Sequence, residues 1–265
     1  MKNNGHFLSV IIPVYKQEKT IQQDILNIHH VLDQIRYDYE LIVVVDGISV
    51  DKSYQLIKKL KLKNLKIFGY QNNHGKGYAI RYGMAKTKGD YISFIDSGME
   101  IDPNGISMIL EHMEWYDADI IVGSKQHPAS KVNYPLDRKI ISFGGHIIAR
   151  YLLGINIYDT QAGLKIFKRN VLIKVLPRLL IKTYAFDLEM LSVANHLGFT
   201  NIYESPIKLT YDFASLTHAT GFKVVWQCLV DALAVFYRLR ILHYYDDKNK
   251  RKWVYDPELD MRINT

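Results

Sequence analysis

The stretch Tyr91-Ile92-Ser93-Phe94-Ile95-Asp96-Ser97-Gly98 sets a short, largely apolar run directly against an acid and a turn. Five such residues read as a buried strand, and an acid at its end is a carboxylate placed at the rim of a sheet. Outward from it the pattern repeats. Leu8–Ile12, Leu41–Val45, Leu65–Gly69 and Ile120–Val122 are also short and β-branched, and a longer amphipathic stretch follows each. This alternation predicts an α/β fold, a mainly parallel sheet with helices on both faces. A further strand is expected at Leu164–Phe167, with helices over 137–153 and 186–197. In open sheets of this class ligands bind beyond the carboxyl ends of the strands, so the residues just after each strand carry the functional argument.

Those residues are unusual. The first strand ends in Pro13-Val14-Tyr15 and the second in Asp46-Gly47-Ile48-Ser49. The third leads to Asn72-Asn73-His74-Gly75-Lys76-Gly77. Asp96 is placed to hold a divalent cation against a diphosphate, since Mg2+ and Mn2+ take oxygen ligands and keep waters and phosphate oxygens in their shells. Glu100 or Asp102 follows at a distance that lets one of them join it, although Asp102-Pro103 also suits a helix start. Glycines around Lys76 permit close backbone approach to an anionic or ribose group. The segment lacks the spacing and the Lys-Ser/Thr pair of a phosphate-binding P-loop. Asp46 can accept hydrogen bonds from a base or ribose, or serve as a turn aspartate.

Composition narrows the classes. The 265 residues carry a net charge of +7, and the charge is uneven: residues 1–122 hold 14 Lys/Arg and 15 Asp/Glu, residues 123–265 hold 20 and 12. A basic half beside a neutral one suits an anionic partner or a solvated basic surface. The single cysteine, Cys228, excludes an internal disulfide and a cysteine-built zinc site, and fits a reducing compartment as a small buried hydrophobe. Phe7–Val14 is followed by Lys16 with no small-residue cleavage site, so it reads as a strand rather than a signal segment. The polar run 124–135 is a long loop without structure of its own. Over 222–242, Phe222, Val225, Trp226, Leu229, Leu233 and Phe236 share one helical face opposite Lys223, Gln227, Asp231 and Arg238. Asp231 argues against a spanning helix. The stretch suits a helix lying in a membrane interface, with Trp226, Tyr237, Tyr244 and Tyr245 at headgroup depth and Arg238, Arg240 and the basic residues 248–252 facing anionic lipid; packing of the same face on the domain is the alternative. The basic residues accompany no nucleic-acid-binding pattern, so no nucleic-acid partner is expected.

Taken together, Pro13-Val14-Tyr15 with Glu18, Val45-Asp46 with Ser49-Val50-Asp51, Asn73 to Gly77 with Ala79, Gly83 and Ala85, and Phe94-Ile95-Asp96 resemble family 2 glycosyltransferases of the glycosyltransferase A fold. Gly123-Ser124-Lys125, the pair Arg138 and Ser142, the run Asp159 to Phe167, and Phe186-Asp187-Leu188-Glu189 resemble its polyprenyl- and dolichyl-phosphate hexosyltransferases. The resemblance covers roughly residues 7–215 and implies a catalytic domain over 1–215, with an interfacial helix and basic tail over 216–265. It implies a nucleotide-sugar site of Pro13, Tyr15, Glu18, Asp46, Asn73, Lys76, Asp96 and Ser97. An acceptor-phosphate site is implied at Ser124, Lys125, Arg138, Ser142, Gln161 and Lys165, with catalytic roles for Asp96, Asp159 and Asp187. Two positions depart from the family pattern: Gly98 stands where the second acid of Asp-x-Asp is expected, and Gly47 where a second aspartate follows Asp46. Glu100 is expected to compensate as a ligand beside Asp96 for Mg2+ or Mn2+.

The implied reaction is inverting transfer of a hexose, glucose from a UDP donor first and mannose from a GDP donor second, to a polyprenyl or dolichyl phosphate. The expected setting is peripheral, on the cytoplasmic face of a membrane. A soluble enzyme acting on a sugar hydroxyl would instead need Asp187, Glu189 or Asp159 as a base. A nucleotide-sugar-binding module without turnover is the third reading.

Overall fold

A computed structural model describes residues 5–131, 150–182, 185–209, 222–249 and 251–264, with backbone only for 222–225. Arg138, Ser142, Lys250 and most of the expected 137–153 helix lie outside the described residues. Seven strands form one sheet: β1 (Phe7–Val14), β2 (Asp38–Asp46), β3 (Leu65–Tyr70), β4 (Tyr91–Ile95), β5 (Ile120–Ser124), β6 (Leu164–Lys168) and β7 (Ile202–Pro206), in the spatial order β3-β2-β1-β4-β6-β5-β7. All neighbours are parallel except β6, which runs antiparallel to both β4 and β5.

Side chains alternate between the two faces of the sheet, as the pleat requires. Leu8, Val10, Ile12, Leu41, Val43 and Val45 pack under α1 (Ile21–Gln34), α2 (Ser53–Lys58) and α4 (Gly105–Trp115). Ile11, Ile42, Val44, Ile92 and Phe94 pack on the opposite side, under α3 (Lys76–Ala85), α5 (Arg169–Val175) and α6 (Phe186–His196). The expected α/β sheet with helices on both faces is therefore present. What the apolar runs did not reveal is the direction of β6. Because it runs backwards, Ile95 faces Leu164 across the ladder, and the residues before β6, not after it, reach the ligand edge beside Asp96.

Two expectations need correction. The segment after β5 is not structureless over its described part: the Ser130 hydroxyl donates to the Ser124 carbonyl at 2.5 Å and accepts from the Ile207 amide at 3.0 Å, which pins the turn to β7. At the other end of the chain, α7 (Phe222–Phe236) continues as a short π-helical turn over Tyr237–Ile241, and the antiparallel pair β8 (Trp253–Asp256) and β9 (Met261–Asn264) follows. Ala232, Val235 and Leu239 join the core beside α6. Burying that Val and that Leu contributes about 3–6 kcal/mol together as an upper estimate, so this side of the helix is held by the domain. Tyr245, expected at headgroup depth, is fully buried instead. Arg238 also turns inward, 3.8 Å from Glu189. A stripe of Trp226, Val230, Leu233, Tyr237 and Ile241 stays exposed.

Candidate active site

Asp96 follows β4 at the ligand edge. Its Oδ2 accepts a 2.7 Å hydrogen bond from Lys76 Nζ, and its amide donates to the Gly163 carbonyl at 3.0 Å. Gly163 packs so closely on it that a Cβ there would stand 2.3 Å from Oδ2 and 2.7 Å from Cγ. Asp96 Oδ1 is shielded from solvent and has no partner among the described residues. Lys76 opens α3. Burial lowers its pKa, but Asp96 and then Asp187 outweigh that, leaving it above the ordinary value and firmly an ammonium.

A second pair lies behind the first. Lys165, on β6, is completely buried, and its Nζ donates to Asp187 Oδ1 at 2.8 Å and to the Ala162 carbonyl at 2.6 Å. Burial pushes its pKa down despite Asp187, and the charge of Lys76 adds to the depression. The charges Asp96, Lys76, Asp187 and Lys165 thus form one alternating cluster at the sheet edge.

The remaining expected residues divide into groups with different surroundings. Asp46 is 2% exposed, and its carboxylate accepts from Asn73 Nδ2 at 2.9 Å, the His74 amide at 2.7 Å and the Gly75 amide at 2.9 Å. It therefore shapes the loop that delivers Lys76, with three of its acceptor positions already occupied. Tyr15 is exposed beyond β1 with Lys16 5.1 Å from its ring, while Pro13 is buried within the strand. Glu18 accepts from the Lys52 amide, and Asp51 accepts from the Glu18 amide, so this exchange ties the segments after β1 and β2 together. Ser97 is half-buried in the turn after Asp96.

Ser124 is completely buried at the end of β5, with its Oγ accepting from the Gln126 amide at 3.2 Å. Asp159 Oδ2 accepts from the Lys125 amide at 3.0 Å, and the Asp159 amide donates to Glu204. Gln161 is exposed and its Nε2 lies 3.8 Å from Cys228 Sγ. Of the two acids after Asp96, Asp102 takes the helix-start role: its Oδ1 accepts from both nitrogens of Asn104, and its backbone carbonyl accepts from the Gly105 amide. Glu100 is half-buried and close enough to act electrostatically on Lys76.

The fit to a divalent cation is partial. Among the described residues no group of three His, Cys, Asp or Glu side chains gathers for a metal. The shielded Asp96 Oδ1 suits a cation that draws most of its ligands from diphosphate and water. Gly98 has φ +94°, a conformation that favours glycine over an aspartate.

Two contributors escaped the sequence reading. Asp24 on α1 accepts from the Gly98 amide at 3.1 Å and so holds the turn after Asp96. Burial raises its pKa against the hydrogen bonds from Thr20 and Gly98. An acid on the inward face of an otherwise apolar helix stripe, Ile21, Ile25 and Ile28, was the signal available. Gly163 is the other, and the antiparallel turn of β6 that brings it to Asp96 leaves no trace in local periodicity.

A dolichyl-phosphate beta-glucosyltransferase of Dictyostelium discoideum is 29% identical over 207 residues, covering 72% of this chain and 63% of that protein. The chain thus spans less than two thirds of that relative's length. A UDP-N-acetylglucosamine–dolichyl-phosphate N-acetylglucosaminyltransferase of Methanococcus voltae is 27% identical over 243 residues, covering 83% of this chain and 94% of that one. The fold is shared with glucosyl-3-phosphoglycerate synthase of Mycobacterium tuberculosis, solved with Mn2+, UDP-glucose and phosphoglyceric acid, at a TM-score of 0.65 and 18% identity over 88% of this chain and 80% of that one. Residues 9–176, more than half of the chain and running from β1 through α5 past Asp46, Lys76, Asp96, Asp159 and Lys165, match the family's sequence pattern, and the chain belongs to glycosyl transferase family 2.

Proposed function

We propose that the chain transfers a hexose from a nucleoside diphosphate sugar to a polyprenyl or dolichyl phosphate at a membrane surface, with inversion at the anomeric carbon. The names of the dolichyl-phosphate relatives support the acceptor class. The observation that carries the reading is the state of the three acids a hydroxyl acceptor would need as base. Asp187 is paired with buried Lys165, Asp159 is held by the Lys125 amide, and Glu189 is completely buried and accepts three hydrogen bonds. A phosphate acceptor is already ionised near neutral pH and needs no base, so such a site has only to orient it and stabilise the leaving diphosphate.

In this reading Tyr15, Asp46 and Asn73 define the nucleoside end, with Pro13, Glu18 and Ser97 shaping its walls. Lys76 neutralises charge on the departing diphosphate. Asp96, with Glu100 near, would hold Mg2+ or Mn2+, which when bound supplies further charge stabilisation there. Asp187 acts through Lys165, keeping that ammonium charged beneath the site. Lys125, Gln161 and Lys165 stand on the acceptor side, where Arg138 and Ser142 are also assigned. Ser124 contributes by fixing the turn of Lys125.

Among the described residues no helix is long and apolar enough to cross a membrane. The exposed stripe from Trp226 to Ile241 on the C-terminal helix supports docking in the interface, with Arg240 toward anionic headgroups. Glucose from UDP-glucose is the proposed donor. Purified protein is incubated with polyprenyl phosphate in anionic vesicles and labelled UDP-glucose, UDP-N-acetylglucosamine or GDP-mannose. Label extractable into organic solvent, greatest with UDP-glucose, is expected. Label confined to water-soluble sugar products would overturn the acceptor assignment.

A further inference from the structure

A buried node joins the C-terminal segment to the loop beside the active site. Glu189, on α6 two residues after Asp187, has no exposed surface. Its Oε2 accepts from the amides of Leu180 and Ile181 at 2.9 and 2.8 Å, and its Oε1 accepts from Tyr245 Oη at 2.8 Å. Tyr245 is itself completely buried, and its carbonyl accepts from Arg178 Nε at 2.9 Å. The loop that Glu189 grips runs straight to the site: the Lys182 carbonyl accepts from the amide of Gly77 at 3.0 Å, and Gly77 follows Lys76. Arg81 on α3 donates to the Leu179 carbonyl of the same loop at 2.9 Å.

We infer that Tyr245 is a positioning residue for the reaction proposed above, acting through Glu189 and the loop 179–182 to fix the start of α3 and with it Lys76. The C-terminal segment is then part of the site's framework, although it lies outside the stretch that matches the family. The physical reason is that a buried polar node acts as a unit. Removing the tyrosine hydroxyl takes the hydrogen bond from Glu189 Oε1 and leaves that oxygen only the Arg238 guanidinium 3.8 Å away, so the strain falls on the two loop amides, the hydrogen bonds that remain. Displacement of this loop moves the carbonyl that caps Gly77, and Lys76 sits within one residue of that contact.

The test compares Tyr245→Phe in the full chain with Leu239→Ala, which opens a cavity in the same C-terminal packing and removes none of the node's hydrogen bonds. Amide exchange is followed at Leu180, Ile181 and Gly77. Tyr245→Phe is expected to raise exchange at all three about fivefold, the factor that one lost hydrogen bond commands, while Leu239→Ala leaves them unchanged. In transfer assays Tyr245→Phe lowers kcat by a similar factor with the acceptor KM unchanged. Glu189→Gln, which keeps a carbonyl oxygen for the two loop amides, preserves their protection. Unchanged exchange in Tyr245→Phe, or equal loosening by Leu239→Ala, overturns the inference. Exchange is read without donor or acceptor, so an inactive protein would sink the proposed reaction and still leave this measurement decisive for the linkage.

Discussion

Replacing Gly163 by alanine separates the fold from the site more cleanly than replacing any charged residue. The added Cβ would lie 2.3 Å from Asp96 Oδ2 and 2.7 Å from its Cγ, and ordinary contact begins at 3.4 Å. The carboxylate must therefore move by 3.4 − 2.3, or 1.1 Å. Asp96 is not locked in the core, with a side chain 35% exposed, so it can swing aside at modest cost to folding. Moving away from the 2.7 Å contact with Lys76 by that distance takes the pair out of hydrogen-bonding range. A misplacement of roughly 1 Å costs a site about 10²-fold in rate. Gly163→Ala is thus expected to lose about 10²-fold in kcat/KM for lipid-phosphate glycosylation, while its urea midpoint shifts by less than that of a core truncation. Steady-state transfer assays and urea unfolding on the same preparation check it. Wild-type kcat/KM in the alanine variant would refute the placement of Asp96 at the reacting end of the sheet.

Other perturbations probe the same arrangement. Asp187→Asn strips a buried ammonium of its counter-charge and is expected to destabilise the fold by about 3–5 kcal/mol in urea unfolding, with Asp187→Leu/Lys165→Met recovering stability but not transfer. Asp24 has a folded pKa raised above its ordinary 3.8, so the folded chain holds this proton more tightly than the unfolded one; stability falls as pH rises from 3.8 through the raised value, and thermal unfolding of Asp24→Asn should lack that decline. Gly98→Asp restores the family's second acid at φ +94° and is expected to cost about 1–3 kcal/mol of stability, measured against wild type in urea. Leu233→Glu on the exposed stripe should weaken sedimentation with anionic vesicles by about tenfold or more, without changing the unfolding midpoint by more than a few tenths of a kcal/mol.

The parts of this protein that were legible in its sequence are those with local causes. A buried parallel strand must be apolar throughout, so Leu41–Val45 and Tyr91–Ile95 announce themselves, and the acids that end them mark the ligand edge without any knowledge of topology. The order of strands and the direction of β6 depend on where distant segments pair, and no period in Leu164–Phe167 encodes that. Hence Asp46 and Asp96 were visible, while Gly163 against Asp96 and Asp24 against Gly98 were not. The C-terminal helix shows the same limit. The apolar face expected there held Trp226 and Leu233, which stay exposed, and the residues that meet the core are Ala232, Val235 and Leu239, a side of the helix that the reading had not singled out.

The reversed β6 also explains how one sheet edge gathers the two groups of residues assigned above to donor and acceptor. Parallel strands β1 to β4 send their carboxyl ends to the edge, and each is followed there by a residue assigned above to the proposed donor: Tyr15, Asp46, Lys76 and Asp96. β6 arrives from the other direction, so it brings the segment before it, with Asp159, Gln161 and Gly163, to the same edge, where the proposed acceptor would lie. Lys165 then points down from that strand into the core, where Asp187 meets it. A nucleotide held by the first group and a phosphate held by the second would approach each other across Asp96, and the buried pair beneath fixes the charge between them. The cost of that arrangement is a desolvated lysine and a buried acid, which a fold selected for stability alone would replace by hydrocarbon. Their presence behind the Asp96–Lys76 pair is the strongest physical reason to regard this edge as a site built to hold charged groups.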